Sequence, residues 1–371
     1  MPSADQHSFP TCIFVPSLRG GGAERITVNL ASGLARLGLP ITLVVAKADG
    51  PFVSAVPDSV PLVDLNSGSV LASLSPLTLY LKRSQPAVCL AIMDHAGVIA
   101  LWAGRLAGTK TKIIVSSQGT LSYTVQNPDW IGDRIMPHLI HWSYPWADHI
   151  IAVSRGVADD LASTARLARN RIRVIYNPVV TPALLEMSRE FTGHPWLDDP
   201  TLPVILSVGR LTRAKDLPTL LTAFAVLRKK TGARLILLGE GEERNRIDYL
   251  ARKLGIQRDM ELLGFKRNPY AFMSRSALVA LSSVSEGLPS VLIEALACGT
   301  PVVSTDCASG PAEILDNGRY GPLVPVRNPR ALADAMLDEL KEPHAPALLR
   351  KRADDFSLDR ALQEYQEVLY A

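Results

Sequence analysis

Residues 285–303 read SEGLPSVLIEALACGTPVV and follow the apolar run 278–281. That run has the length of a buried strand, and Gly287 permits the sharp turn needed after it. Pro289 suits a first helical position and Gly299 a helix stop, after which 302–304 begins a second apolar run. Two short buried strands separated by a helix read as a parallel pair, since parallel strands need such a crossover. This stretch predicts a strand–helix–strand unit.

The same alternation extends in both directions. Apolar runs at 204–208, 234–238, 260–263 and 320–324 share the second half with 278–281 and 302–304. In the first half they fall at 12–15, 41–46, 88–92, 112–116, 149–153 and 172–175. Helical patterns lie between them, at 23–37, 96–106, 130–146 and 156–163. Strands of this kind separated by helices predict parallel sheets covered on both faces. Prolines at 178, 182, 195, 200 and 203 interrupt the rhythm and read as a linker, with a short helix near 183–189. The expected organisation is α/β: two Rossmann-like, doubly wound parallel-sheet domains facing a cleft. Their predicted bounds are 1–180 and 204–356, with a linker at 181–203 and a C-terminal helix at 357–371 packing back on the first domain.

Composition narrows the function. The chain has 371 residues, 47 % apolar and 20 % charged, with a net charge of +3. A balance so near neutral does not suit a nucleic-acid protein. Its four cysteines show no C-x-x-C spacing, and His138 and His141 have no third ligand near them in sequence, so no metal site is expected. No D-x-D triplet occurs. No run of 18 apolar residues is present, and MPSADQHSFP lacks a signal-peptide pattern, so the expected location is cytoplasmic.

In doubly wound sheets the ligand binds at the carboxyl ends of the strands. Three loops there invite attention. Residues 17–25 (SLRGGGAER) offer flexible backbone and helix-start amides, including Gly21 and Gly22, although a turn without a ligand would read the same way. Residues 208–216 (VGRLTRAKD) place Arg210 and Lys215 on a loop before a helix starting near Leu217. Two fixed cations suit a diphosphate; two solvated surface side chains are the equal alternative. The third loop carries Glu286, Gly287, Leu288, Pro289 and Ser290, with Glu294 further into the helix. Its free amides favour negative charge.

The E-x7-E pattern of Glu286 and Glu294 resembles the signature of glycosyltransferase family 4, retaining enzymes with the two-domain GT-B fold. Matching blocks occur in order: GGGAER from Gly20, Ala152-Val153-Ser154, Ile175-Tyr176-Asn177-Pro178, Gly209-Arg210 with Lys215, Gly239-Glu240-Gly241, Leu263-Gly264-Phe265 and Gly321-Pro322-Leu323-Val324. The stretch 309–315 (SGPAEIL) is similar to members that use UDP-hexoses or UDP-N-acetylhexosamines on lipid-linked or lipopolysaccharide acceptors. The resemblance implies that Arg210 and Lys215 bind the donor diphosphate, Glu294 the ribose and Glu286 the donor sugar. It further implies that backbone groups of Gly264 and Phe265 hold the base, that no metal or other cofactor is used, and that configuration is retained. Many relatives carry a histidine after the strand matching 112–116; here the chain reads Ser116-Ser117-Gln118-Gly119. Gln118 can donate to a sugar but cannot act as a base. Asp94 and His95, after the preceding strand, are the other candidates for sugar or acceptor contacts, with a helix cap as the alternative for Asp94.

The expected function is transfer of a hexose or N-acetylhexosamine from a nucleotide-sugar, UDP in the first place, to a glycan or lipid-linked acceptor. A UDP-sugar epimerase of the same fold and a non-catalytic sugar-nucleotide-binding protein are the alternatives. Residues 130–146 add a possible partner, holding three tryptophans and a tyrosine in a domain with a small basic surplus. Such side chains suit the surface of an anionic membrane. The helical spacing of Ile135, Leu139 and Trp142 equally suits an ordinary core face, which is the primary expectation.

Overall fold

The computed structural model describes residues 10–128, 131–198 and 201–370. The first seven strands are β1 (Thr11–Val15), β2 (Ile41–Val45), β3 (Leu62–Asp64), β4 (Val88–Ile92), β5 (Lys112–Ser117), β6 (His149–Ala152) and β7 (Ile172–Val174). Strands β1 and β4 are buried at every position, so their backbone groups need partners on both edges. They find them in one parallel sheet of order β3-β2-β1-β4-β5-β6-β7.

The second sheet is built the same way from β8 (Val204–Val208), β9 (Arg234–Leu238), β10 (Met260–Leu262), β11 (Leu278–Leu281), β12 (Val302–Thr305) and β13 (Leu323–Val324). Its order is β10-β9-β8-β11-β12-β13, again parallel. Both sheets reverse their strand order once, between β1 and β4 in the first and between β8 and β11 in the second. A ligand crevice forms outside the carboxyl ends at such a reversal. The loops after β8 and β11 are those that carry Arg210, Lys215 and Glu286.

The chain divides into two units, Met1–Pro178 with Leu358–Ala371, and Val179–Ser357. The terminal helix Leu358–Leu369 thus belongs to the first unit, where Leu358, Leu362, Tyr365 and Val368 join its core. A Cβ on Gly33 would lie 2.9 Å from Leu362 Cδ1, so a glycine lets the two helices meet.

The proline-rich 181–203 segment is not a free linker. Pro182 and Pro195 open helices Pro182–Met187 and Pro195–Asp198, where a missing N–H does no harm. Asn268 Nδ2 donates to Met187 O (2.9 Å), Ser274 Oγ to Ser188 O (2.6 Å), and His194 Nε2 meets Glu261 Oε2 at 3.0 Å. The segment is thereby bound into the second unit; its residues 199–200 lie outside the described ones.

Candidate active site

Strand β8 ends at Val208, and the chain continues through Gly209 and Arg210 into the short turn Arg213–Lys215. The neighbouring β9 loop comes so close that a Cβ on Gly239 would stand 1.9 Å from Gly209 O. Two hydrogen bonds tie this loop to the one after β11: Val284 N donates to Ala214 O (2.8 Å) and Ser282 Oγ to Lys215 O (2.7 Å). The backbone under Lys215 is therefore fixed by the strand across the reversal.

That fixing brings the predicted charges together. Lys215 Nζ lies 2.5 Å from Glu286 Oε1, and both side chains are largely covered. Ser283 Oγ donates to the same oxygen at 2.6 Å. Arg210 is exposed and enters no ion pair among the described residues. It lines, with Gly209, Lys215 and Ser282, a small pocket floored by Leu217, Leu237 and Leu281.

The next helix is Ser290–Cys298; Pro289 caps it from an extended conformation, so the helix begins one residue after the expected start at Pro289. Gly299 stops it in the left-handed region (φ +79°), as its placement predicts. The loop Gly287-Leu288-Pro289 is braced from behind. Ser309 Oγ donates to Gly287 O (2.9 Å), and a Cβ on Gly310 (φ +93°) would meet Pro289 Cδ at 2.4 Å. The first amides of this helix lack intrahelical partners and form a natural anion site. Glu294 is buried within the helix, with the Tyr270 hydroxyl donating to its Oε1 at 3.5 Å. Gly264, left-handed at φ +71°, accepts from Gly239 N (2.8 Å), which sets it beside the β9 loop. Phe265, next in the chain, is exposed.

The two cysteines of this region are inert. Burial, then the charge of Glu294, pushes the Cys298 thiol up to about 12; burial, then Glu286, does the same for Cys307. No group of three or more His, Cys, Asp or Glu residues able to hold a metal occurs among the described residues.

The first unit holds the remaining predicted residues at the carboxyl end of its sheet. Gly21 caps the helix Gly22–Arg36, and a Cβ there would press on the Glu24 carboxylate at 2.3 Å. After β4, Met93 adopts φ +80° and ψ +147°, a region a residue with a side chain enters only under strain. It turns the chain into the helix Asp94–Ala107. Asp94 is not that helix's cap; instead its Oδ1 accepts from the buried Tyr144 hydroxyl at 2.9 Å. Burial raises its pKa to about 6, with the Tyr144 hydrogen bond opposing and Asp160 adding to the rise. Burial also lowers the pKa of His95, against the pull of Asp133. Gln118 is engaged at both ends, its Nε2 donating to Ser116 Oγ (2.9 Å) and its Oε1 accepting from Asn177 Nδ2 (3.1 Å).

The core-facing expectation for Ile135, Leu139 and Trp142 is overturned. In helix Ile131–Ser143 these side chains are 51 %, 37 % and 71 % exposed, and the inward face is Gly132, Met136, Ile140 and Ser143. Trp130 lies outside the described residues. No helix among them is long and apolar enough to cross a membrane.

Sequence reasoning missed Ser282, Ser283, Tyr144 and Asn177 as site-building residues. Nothing in their spacing marks Ser282, Tyr144 and Asn177, whose partners are distant in sequence, and Ser283, three residues before Glu286, reads as an ordinary loop serine until burial turns it to that carboxylate.

Comparison with known proteins identifies the family. Residues 20–181 match the family model described as Glycosyltransferase Family 4, and residues 189–356 the one described as Glycosyl transferases group 1. The chain is 30 % identical over 342 residues to the N-acetylgalactosamine-N,N'-diacetylbacillosaminyl-diphospho-undecaprenol 4-alpha-N-acetylgalactosaminyltransferase of Campylobacter jejuni, covering 89 % of this chain and 90 % of that one. It is 27 % identical over 320 residues to the lipopolysaccharide core biosynthesis glycosyltransferase LpsE of Rhizobium meliloti, covering 86 % and 85 %. Its fold is similar to that of Anabaena HepE crystallised with UDP-glucose, at a TM-score of 0.80 and 21 % identity over 98 % of this chain and 99 % of that one. Two doubly wound parallel sheets, the two family matches in succession and a relative aligned along nearly its whole length lead to one conclusion: the chain belongs to glycosyltransferase family 4.

Proposed function

We propose that this glycosyltransferase moves a hexose or N-acetylhexosamine from a UDP-sugar to a lipid-linked or lipopolysaccharide acceptor, with retention and without a metal. The observation that carries the reading is the cluster at the β8–β11 reversal, where Lys215, Glu286 and Ser283 are joined beside Arg210. Breaking the bond from the sugar to the diphosphate leaves negative charge on the nucleotide. Preorganised positive charge lowers that barrier. Arg210, Lys215 and the amides of the Ser290–Cys298 helix start offer such charge from protein groups alone, which supports metal independence. Glu294 takes the ribose hydroxyls, Glu286 a hydroxyl of the sugar, and the backbone of Gly264 and Phe265 the base. The relatives that act on diphospho-undecaprenol and lipopolysaccharide support the acceptor class. Neither the family match nor the relatives favour an epimerase.

Asp94, His95 and Gln118 are assigned to the acceptor side. The strained Met93 and the raised pKa of Asp94 support a functional role for that corner. The reading places the enzyme peripherally on the cytoplasmic face of an anionic membrane. The exposed stripe of Ile135, Leu139 and Trp142, flanked by the exposed Arg134, supports that contact. Incubating the protein with UDP-sugars and a diphospho-undecaprenol-linked oligosaccharide in excess EDTA tests the whole. Free UDP and a product whose NMR coupling matches the donor's anomeric configuration are expected. An inverted product, or activity that needs added Mg²⁺ or Mn²⁺, refutes the mechanism.

A further inference from the structure

The serine pair at the carboxyl end of β11 makes no contact with the donor in the reading above, yet both members hold residues that do. Ser282 and Ser283 are buried; Ser282 spends its hydroxyl across the strand reversal and Ser283 spends its own within the loop after β11. Ser282 Oγ holds the backbone oxygen of Lys215 (2.7 Å), while Ser283 Oγ donates to Glu286 Oε1 (2.6 Å). Ser283 is itself held from the next strand, its carbonyl accepting from Thr305 Oγ1 at 2.6 Å. A buried serine hydroxyl has one proton to give, so its donation fixes which way the carboxylate faces.

We infer that Ser283 is a positioning residue for the donor sugar: it pins Oε1 of Glu286 so that the carboxylate keeps its orientation when the donor diphosphate draws Lys215 away. The inference rests on the assignment of Glu286 to the sugar. In the free enzyme Glu286 has two partners on one oxygen, Lys215 and Ser283. A bound diphosphate competes for the first. Only the second remains, and without it the side chain is free to follow Lys215 toward the phosphates or to turn away from the sugar. Lys215 does not depend on Ser283, because its backbone is tied by Ser282 and by the Val284–Ala214 hydrogen bond. Loss of Ser283 should therefore harm use of the sugar and spare binding of the nucleotide.

The test compares Ser283→Ala with Glu286→Ala and wild type by two readouts. One is UDP affinity by calorimetry. The other is UDP release from an equimolar mixture of UDP-glucose, UDP-galactose, UDP-N-acetylglucosamine and UDP-N-acetylgalactosamine. Removing a hydrogen bond to a charged group is expected to slow release by about tenfold or more, with UDP affinity within about twofold of wild type. Unimpaired release, or UDP affinity lost in step with release, would overturn the positioning role; the second pattern marks a general structural defect. If Glu286→Ala itself released UDP at the wild-type rate, the assignment of Glu286 would fall first. If only Glu286→Ala were impaired, the inference about Ser283 alone would fall.

Discussion

Asparagine at position 94 should make this protein more stable above pH 6 and less active. The Asp94 carboxyl is raised from 3.8 to about 6, chiefly by burial. Below the lower value it is protonated whether the chain is folded or not, and it has no effect on the pH dependence. Between the two values the folded state holds a proton that the unfolded state has lost, so stability falls as pH rises. Above about 6 the full cost of a desolvated carboxylate is present. A rise of roughly two units corresponds to about 3 kcal/mol, and partial exposure of the residue lowers this to about 1–3 kcal/mol. Asparagine carries no charge at any of these pH values and retains an oxygen to accept from the Tyr144 hydroxyl, 2.9 Å away in the native pair. At about 2–4 °C per kcal/mol for a unit of this size, Asp94→Asn should melt about 3–10 °C higher at pH 8, with a smaller gap at pH 5. Thermal unfolding followed by circular dichroism across that range measures it. A variant less stable than wild type at pH 8, or a gap that does not change with pH, would refute the reasoning. Loss of transfer to acceptor in the same variant would show that the unfavourable charge is kept for function.

Arg210→Ala and Lys215→Ala should each lower turnover by roughly 10²–10³-fold, the scale for losing one preorganised charge-stabilising group, with melting temperatures near wild type; near-normal turnover would remove that residue from the diphosphate site. The intact protein should sediment with anionic liposomes at low salt and release as salt screens the attraction, and Trp142→Ser, at the most exposed position of its helix stripe, should weaken the binding. Equal partitioning with and without liposomes would reject that face as a membrane dock.

Much of the fold was legible because its strands are buried on both faces and so read as continuous apolar runs. Strand β3 was not, since Leu62–Asp64 is three residues long, lies at the sheet edge and is only partly covered. Helix Leu74–Ser84 escaped for a related reason: of its apolar residues only Leu77 and Leu81 are buried, so its periodic signal is thin. The helix Ile131–Ser143 shows the opposite error. Its spacing is helical, but spacing alone cannot say which side faces inward, and Ile135, Leu139 and Trp142 face out while Met136 and Ile140 face in. At the site, Arg210, Lys215, Glu286 and Glu294 stand out because charges on glycine-rich loops at strand ends are conspicuous. Ser283 and Tyr144 do not, because each acquires its role from a partner distant in sequence or from burial that only the fold creates.

The nucleotide site at the β8–β11 reversal is tested most directly by UDP-induced thermal shift. Wild-type protein should gain stability with UDP concentration, as any ligand bound only to the folded state requires. Lys215→Ala and Arg210→Ala should each lose most of that gain, while Asp94→Asn, in the other unit, should keep it. A UDP shift undiminished by both substitutions in the second unit, or no shift in the wild type, would contradict the central claim.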